Sequence, residues 1–295
     1  MNHQEMTTRI EQGQGFIAAL DQSGGSTPKA LRGYGVEEHE YSGDEQMFAK
    51  IHEMRTRIVT SPSFNGDRVL GAILFERTMD GDAGGKSVPD QLKSRGVVPF
   101  LKVDKGLEDE ADGVQMMKPM PDLGALLERG KAKGIFGTKM RSVINSASPT
   151  GIAAIVSQQF DVGRQIIEHG LLPMIEPEYN INSADRAEGE VILRDEIAKQ
   201  LSGLPAGTKV MLKLSLPVQA NLYKSLVDHP NTARVVALSG GFNRAEACEK
   251  LARNEGMIAS FSRALLEELR AQMDDAEFDL ALATAIEEIR CASAT

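Results

Sequence analysis

The 295-residue chain has only two cysteines, Cys248 and Cys291. They share no short spacing, which argues against a disulfide framework or a zinc knuckle. A reducing, cytoplasmic setting is the reading that follows. No run approaches the ~18 consecutive apolar residues of a membrane span. The opening stretch MNHQEMTTRIEQGQG has no apolar core, so no secretion signal is expected. The five histidines, His3, His39, His52, His169 and His229, lack HxxxH or comparable ligand spacing, and no metal is expected. His52 and His169 fall within helical patterns and read as surface or satisfied-core residues. Basic residues are in deficit, 33 against 42 acidic, for a net charge of −9. That excess disfavours nucleic acid and anionic membrane surfaces as partners. Any bound anion must be met by a local group of lysines and arginines.

What is present is ordinary globular composition, 41% hydrophobic and 25% charged. The length suits two domains of ~150 residues or one barrel of ~250 or more. Short β-rich apolar runs recur: GFIAALD (15–21), RVLGAILFE (68–76), VVPFLKVD (97–104), GIFGTKMRS (134–142), LLPMIEPEYN (171–180), TKVMLKLSLP (208–217), ARVVALSGG (233–241) and GMIASFS (256–262). Helical periodicity lies between most of them, at 45–59, 121–134, 157–170, 186–203, 262–273 and 278–290. Eight strands alternating with helices predict an α/β protein with a parallel sheet closed into a (β/α)8 TIM barrel. No linker or composition break divides the chain, so residues 1–295 are expected to form one barrel domain. The 22–67 connection is long enough for an extra helix or lid-like loop.

Charge inside the strands is the informative feature. Ionisable groups stand in or just after five runs: Asp21; Lys102, Asp104 and Lys105; Lys139 and Arg141; Glu176 and Glu178; Lys209 and Lys213. Residues two apart on a strand share a face, so Lys139 points with Arg141 and Glu176 with Glu178. Lysine and glutamate are seldom fully buried without a partner. In a barrel the strands' C-terminal ends meet at one mouth, where active sites are built. Several lysines with two carboxylates suit Schiff-base chemistry. Apolar walls and neighbouring cations would favour the neutral amine of Lys213, and a carboxylic acid, Glu176 or Glu178, would shuttle protons. Repulsion between those two carboxylates would keep one proton on the pair, while nearby lysines pull the other way.

Anion signals follow strands seven and eight. LSGG (238–241) and SFSR (260–263) offer small residues, and Arg263 adds a bidentate donor. A second candidate is DQSGGST (21–27), with the Ser23 and Ser26 hydroxyls. GDAGGKS (81–87) is no P-loop, since Asp80 stands where the first glycine belongs and Val-Pro follows.

Taken in order, ALDQSGGS, ILFERTM, KVDKG, GTKMRS, IEPE, LKLSLP and LSGG give the chain its resemblance to class I, Schiff-base-forming fructose-1,6-bisphosphate aldolases, closest to the compact bacterial members. The resemblance spans nearly the whole chain. It implies a TIM barrel that reversibly cleaves fructose 1,6-bisphosphate to dihydroxyacetone phosphate and glyceraldehyde 3-phosphate, in glycolysis and gluconeogenesis, with no cofactor and no metal. It implies Lys213 as Schiff-base nucleophile, Glu176 as proton-transfer acid/base with Glu178 in support, and Asp21 acting on the substrate C4 hydroxyl. Lys105 and Lys139 would hold charge and substrate hydroxyls, and Arg141 would bind substrate. Ser239, Gly240, Ser262 and Arg263 would cradle one phosphate, and Ser23 and Ser26 lie where the other is held. The chain also departs from its animal relatives. Gln22 stands where they have glutamate, Ser262 where they have glycine, and the chain ends in RCASAT with no terminal tyrosine. The residues alone leave two rivals open: another Schiff-base lyase of transaldolase type, and a non-catalytic sugar-phosphate-binding protein. They also leave oligomeric state open.

Overall fold

In the computed structural model, which describes residues 1–295, each apolar run becomes a barrel strand. The strands are β1 Phe16–Leu20, β2 Val69–Leu74, β3 Val98–Lys102, β4 Gly137–Ile144, β5 Leu172–Tyr179, β6 Val210–Ser215, β7 Thr232–Leu238 and β8 Met257–Ala259. Each pairs in parallel with the next in chain order. The edges meet where the Ala19 N–H donates to the Phe261 carbonyl at 3.1 Å. Closing a sheet on itself removes the exposed edges that would otherwise template association.

Side chains alternate across the strands, so the core divides in two. One layer, with Phe16, Leu20, Leu74, Leu101, Ile175, Leu212 and Val235 from the strands, packs against the surrounding helices. The other fills the barrel: Ile17, Ile73, Val98, Phe100, Met174, Met211, Val236 and Ile258. Gly137 makes room for the Phe100 ring, since a Cβ there would lie 2.7 Å from it and 2.4 Å from the Leu172 carbonyl oxygen.

Helix α1, His3–Gln12, closes the N-terminal mouth of the barrel with Met6 and Ile10. Arg234 of β7 pins it by donating to the carbonyls of Ile10 and Gly13 at 2.9 and 3.0 Å. Lys209 belongs to this end, not to the site, pairing with Glu11 at 2.9 Å. Periodicity did not reveal α1. Its signal is the capping box, in which Asn2 and Glu5 exchange side-chain and backbone hydrogen bonds.

The long connection carries the expected extra helical structure, α2 Ser26–Gly33 and α3 Gly43–Thr60. Next come α4 Glu76–Asp80 and α5 Val88–Ser94. The Gly-Lys-Ser stretch between them is a hairpin, with Asp82–Ala83 paired to Lys86–Ser87, and Ser87 then caps α5. Helices α6 Leu123–Ala132, α7 Pro149–Glu168 and α8 Arg186–Ser202 follow the expected periodicity, α7 starting earlier because Ser148 caps it and Pro149 suits the first turn. After α9 Lys224–Val227 and α10 Arg244–Leu251, the helix expected over 262–273 is cut to α11, Arg263–Leu266. The reason is competition for the backbone. Ala271 N–H donates to the Tyr34 carbonyl at 2.8 Å, and Arg57 donates to the Met273 carbonyl at 2.6 Å. Helix α12, Asp275–Ala292, starts afresh from its Asp274 cap. No helix is long and apolar enough to cross a membrane.

Candidate active site

At the C-terminal mouth a cleft of about 850 Å³ gathers every residue to which the resemblance assigns a role: Asp21, Ser23, Ser26, Lys105, Lys139, Arg141, Glu176, Glu178, Lys213, Ser239, Gly240, Ser262 and Arg263. Its centre is set by strand register. Met174 and Ile175 of β5 pair with Met211 and Leu212 of β6, so the next residues along, Glu176 and Lys213, are neighbours. Beyond that point Ser215 Oγ bridges to the Tyr179 N–H and carbonyl at 2.9 and 2.8 Å, replacing direct backbone pairing.

Four charged groups form a chain. Lys213 Nζ lies 3.0 Å from Glu176 Oε1, and Lys139 Nζ lies 2.8 Å from Glu176 Oε2 and 2.5 Å from Asp21 Oδ2. All four are buried. Burial raises the Asp21 carboxyl, but Lys139 above all, and then Lys213, outweigh it and hold it well below the usual carboxylate range. Glu176 is lowered by the same contest of burial against Lys139 and Lys213. Burial works to lower the Lys139 ammonium, yet Asp21 and Glu176 hold it well above the ordinary lysine value. Lys139 is thus a fixed cation locked between two carboxylates, whereas Lys213 contacts one.

Lys213 has a carboxylate as its ionic partner, and the cation Lys139 stands on the other oxygen of that same carboxylate. Glu176 and Glu178 have separate partners. Glu178 turns outward to pair with Arg141, and Glu176 turns inward to the lysines. Gln159 of α7 fixes the Glu176 backbone, accepting its N–H at 3.1 Å while donating to Ser142 Oγ at 2.7 Å.

Lys105 stands at the rim, half-exposed and 2.9 Å from Glu76, which also pairs with Arg129. The lysine of KVDKG that sits deepest is Lys102, in register with Lys139 and 2.6 Å from Asp104 Oδ1. Asp104 also accepts the Arg141 N–H at 3.2 Å, tying β3 to β4. Strand alternation held this signal, because Lys102 is the last residue of β3 and Lys105 lies beyond it.

After β7, Gly240 adopts φ +62°, a left-handed conformation that suits glycine and exposes backbone. Ser239, Gly240, Ser262 and the exposed Arg263 line one side of the cleft. In the same cleft, Ser26 Oγ caps its own turn, accepting the Ser23 N–H at 3.0 Å and donating to the Ser23 carbonyl at 2.9 Å, with Lys29 one helical turn further on. Gln22 and Ser262, two of the three departures noted from the sequence, touch: Gln22 Nε2 donates to Ser262 Oγ at 2.7 Å. Behind them lies Arg55 of α3, a buried residue that sequence reasoning missed, since it reads as one more charge on an amphipathic helix. His52 bonds the Asp82 carbonyl and His169 pairs with Glu128, and no group of three or more His, Cys, Asp or Glu is placed to hold a metal ion.

Residues 3–198 match the family model "Fructose-bisphosphate aldolase class-I". A fructose-bisphosphate aldolase class 1 of Synechocystis is 56% identical over 294 residues, covering 99% of this chain and 98% of that protein. Among solved structures, a Plasmodium falciparum fructose-bisphosphate aldolase superposes with a TM-score of 0.80 at 19% identity, covering 99% of this chain and 94% of that one. A Corynebacterium glutamicum protein gives 0.57 at 14% identity, covering 98% and 92%. The structural likenesses speak to the barrel fold, and the sequence matches to lineage: the chain belongs to the class I fructose-bisphosphate aldolase family.

Proposed function

We propose that this protein cleaves fructose 1,6-bisphosphate reversibly to dihydroxyacetone phosphate and glyceraldehyde 3-phosphate, as a cytoplasmic enzyme of glycolysis and gluconeogenesis, through a Schiff base on Lys213. The observation that carries the reading is the buried contact of Lys213 Nζ with Glu176 Oε1 at 3.0 Å, at the centre of a cation-lined cleft.

An ammonium has no free electron pair, so Lys213 must first lose a proton, and Glu176 lies within reach to take it. The neutral amine adds to the substrate C2 carbonyl. Glu176 returns the proton to the resulting hydroxyl, water leaves, and an iminium forms. The iminium carries the same single positive charge as the ammonium it replaces, so the pairing with Glu176 survives the covalent step. Asp21, kept ionised by Lys139, takes the proton from the C4 hydroxyl. The C3–C4 bond then breaks. Its electron pair passes to C3 and is absorbed by the iminium as an enamine, while C4 leaves as the aldehyde. Protonation at C3 and addition of water release dihydroxyacetone phosphate and free Lys213.

Phosphate recognition divides across the cleft. Ser239, Gly240, Ser262 and Arg263 hold one group, and the turn of Ser23 and Ser26, with Lys29 behind it, holds the other. Arg141 and the KVDKG lysines meet substrate oxygens between them. Two anion sites favour a bisphosphate over a monophosphate ketose. Turnover in the presence of EDTA, compared between fructose 1,6-bisphosphate and fructose 1-phosphate, tests this. The expected result is metal-independent cleavage with higher kcat/KM for the bisphosphate; equal efficiencies would favour a different Schiff-base lyase.

A further inference from the structure

Arg55 and Gln22 carry no step of the chemistry, yet both are buried beside it. Arg55 is 1% exposed. Its guanidinium donates to Thr78 Oγ1 at 2.7 Å, to the Gln22 backbone carbonyl, and to Gln22 Oε1 at 3.2 Å. None of these partners is a carboxylate. The nearby Asp21 carboxylate favours the charge without bonding it, so this buried cation makes its hydrogen bonds to neutral oxygens alone, an arrangement that asks for a reason beyond packing.

Direction supplies one. A guanidinium only donates hydrogen bonds, so Gln22 must turn its oxygen toward Arg55 and its amide N–H groups the other way. There Nε2 donates to Ser262 Oγ at 2.7 Å. Ser262 Oγ therefore accepts, and its own O–H hydrogen is left unspent in the cleft, beside Ser239, Gly240 and Arg263. We propose that Arg55 and Gln22 are positioning residues which hold the Ser262 hydroxyl as a donor to the substrate phosphate, joining the loop after β1 to the loop after β8. The identity of that substrate rests on the aldolase reading above. A glutamate at position 22 would reverse the relay. It would accept from Arg55 and from Ser262 alike, turning the serine hydrogen away from the cleft and placing a negative charge beside the anion.

The test uses the full-length protein with Gln22→Leu, Gln22→Glu, Ser262→Ala, Arg55→Met and the pairwise combinations with Ser262→Ala. The readouts are the dihydroxyacetone phosphate concentration that half-saturates borohydride trapping, and KM against kcat for the bisphosphate. Gln22→Leu and Ser262→Ala are each expected to raise half-saturation about ten- to a hundredfold, the loss of one hydrogen bond to an anion, with KM rising more than kcat falls. Gln22→Glu raises it further than Gln22→Leu. Because Gln22 acts through Ser262, adding Gln22→Leu or Arg55→Met to Ser262→Ala changes half-saturation by less than about twofold. Effects that multiply in the double variant, or a Gln22→Leu variant that binds like wild type, overturn the relay. Should Arg55→Met fail to fold, the Gln22 and Ser262 cycle decides alone. Failure of the wild type to trap at all would refute the aldolase reading instead. The same cycle is then read from the Kd for inorganic phosphate by calorimetry, with the same coupling expected and the same additivity fatal.

Discussion

Replacing Lys139 by methionine removes the cation that joins Asp21 to Glu176 while nearly conserving volume. In the wild type both carboxyls titrate below their unfolded values of ~3.9 and ~4.3, so their contribution to stability is complete above about pH 5. It is lost as pH falls through the depressed folded values. Without Lys139, burial faces Lys213 with only weaker help from Lys102 and Arg55, and one carboxyl rises above its unfolded value. The pH slope then reverses. Relative to wild type, the variant's loss of stability is smallest near ~pH 4 and grows as pH rises toward ~7, where a buried carboxylate stands unpaired. Breaking a buried ion pair by removing one partner costs ~3–5 kcal/mol. At ~2–4 °C per kcal/mol for a chain of this size, Tm at pH 7 falls by about 6–20 °C. Calorimetry across pH 4–8 reads both the loss and its slope. A second consequence is an acid limb of kcat/KM that moves upward, with activity at pH 7 reduced about 100-fold or more as Asp21 loses its ionised form. A variant whose Tm stays within about 2 °C of wild type, with an unchanged pH slope, would refute the claim that Lys139 is the charge lock of the site.

Two further substitutions probe the supports of that site. Gln159→Leu leaves the Glu176 N–H and Ser142 Oγ without partners in a fully buried place, and urea unfolding should show a loss of ~2–5 kcal/mol together with a drop in kcat. Ile10→Ala opens a cavity under the barrel, far from the chemistry, and should cost ~2–4 kcal/mol by the same method while leaving KM for the bisphosphate near its wild-type value.

The sequence disclosed the barrel well because its signal is local and repeated. Eight apolar runs with polar boundaries need only a period and a turn to be recognised, and every one became a parallel strand. Helix α1 was missed because a short, polar helix exposes little periodicity; its evidence lay in two capping residues. The stretch 262–273 was over-read because bonds from Tyr34 and Arg57, distant in sequence, take the backbone groups that a helix would use. Site membership was legible through alternation: Lys139, Arg141, Glu176 and Lys213 are charges on central strands, which are costly unless they meet. Pairing was less so. Register alone sets Arg141 opposite Glu176, yet each cation of β4 reaches the carboxylate two residues further along β5, Lys139 to Glu176 and Arg141 to Glu178. Arg55 was invisible for a related reason, since a helix pattern does not show that one arginine of a charged stretch points inward.

The central claim is that Lys213, alone among the lysines of the cleft, is the nucleophile. Its most direct test is reduction with borohydride in the presence of dihydroxyacetone phosphate, followed by peptide mass mapping. The account predicts one covalent adduct per chain, on Lys213, formed equally well with EDTA present and absent from a Lys213→Met variant. An adduct on Lys102, Lys105 or Lys139, or activity abolished by EDTA with no adduct formed, would contradict it.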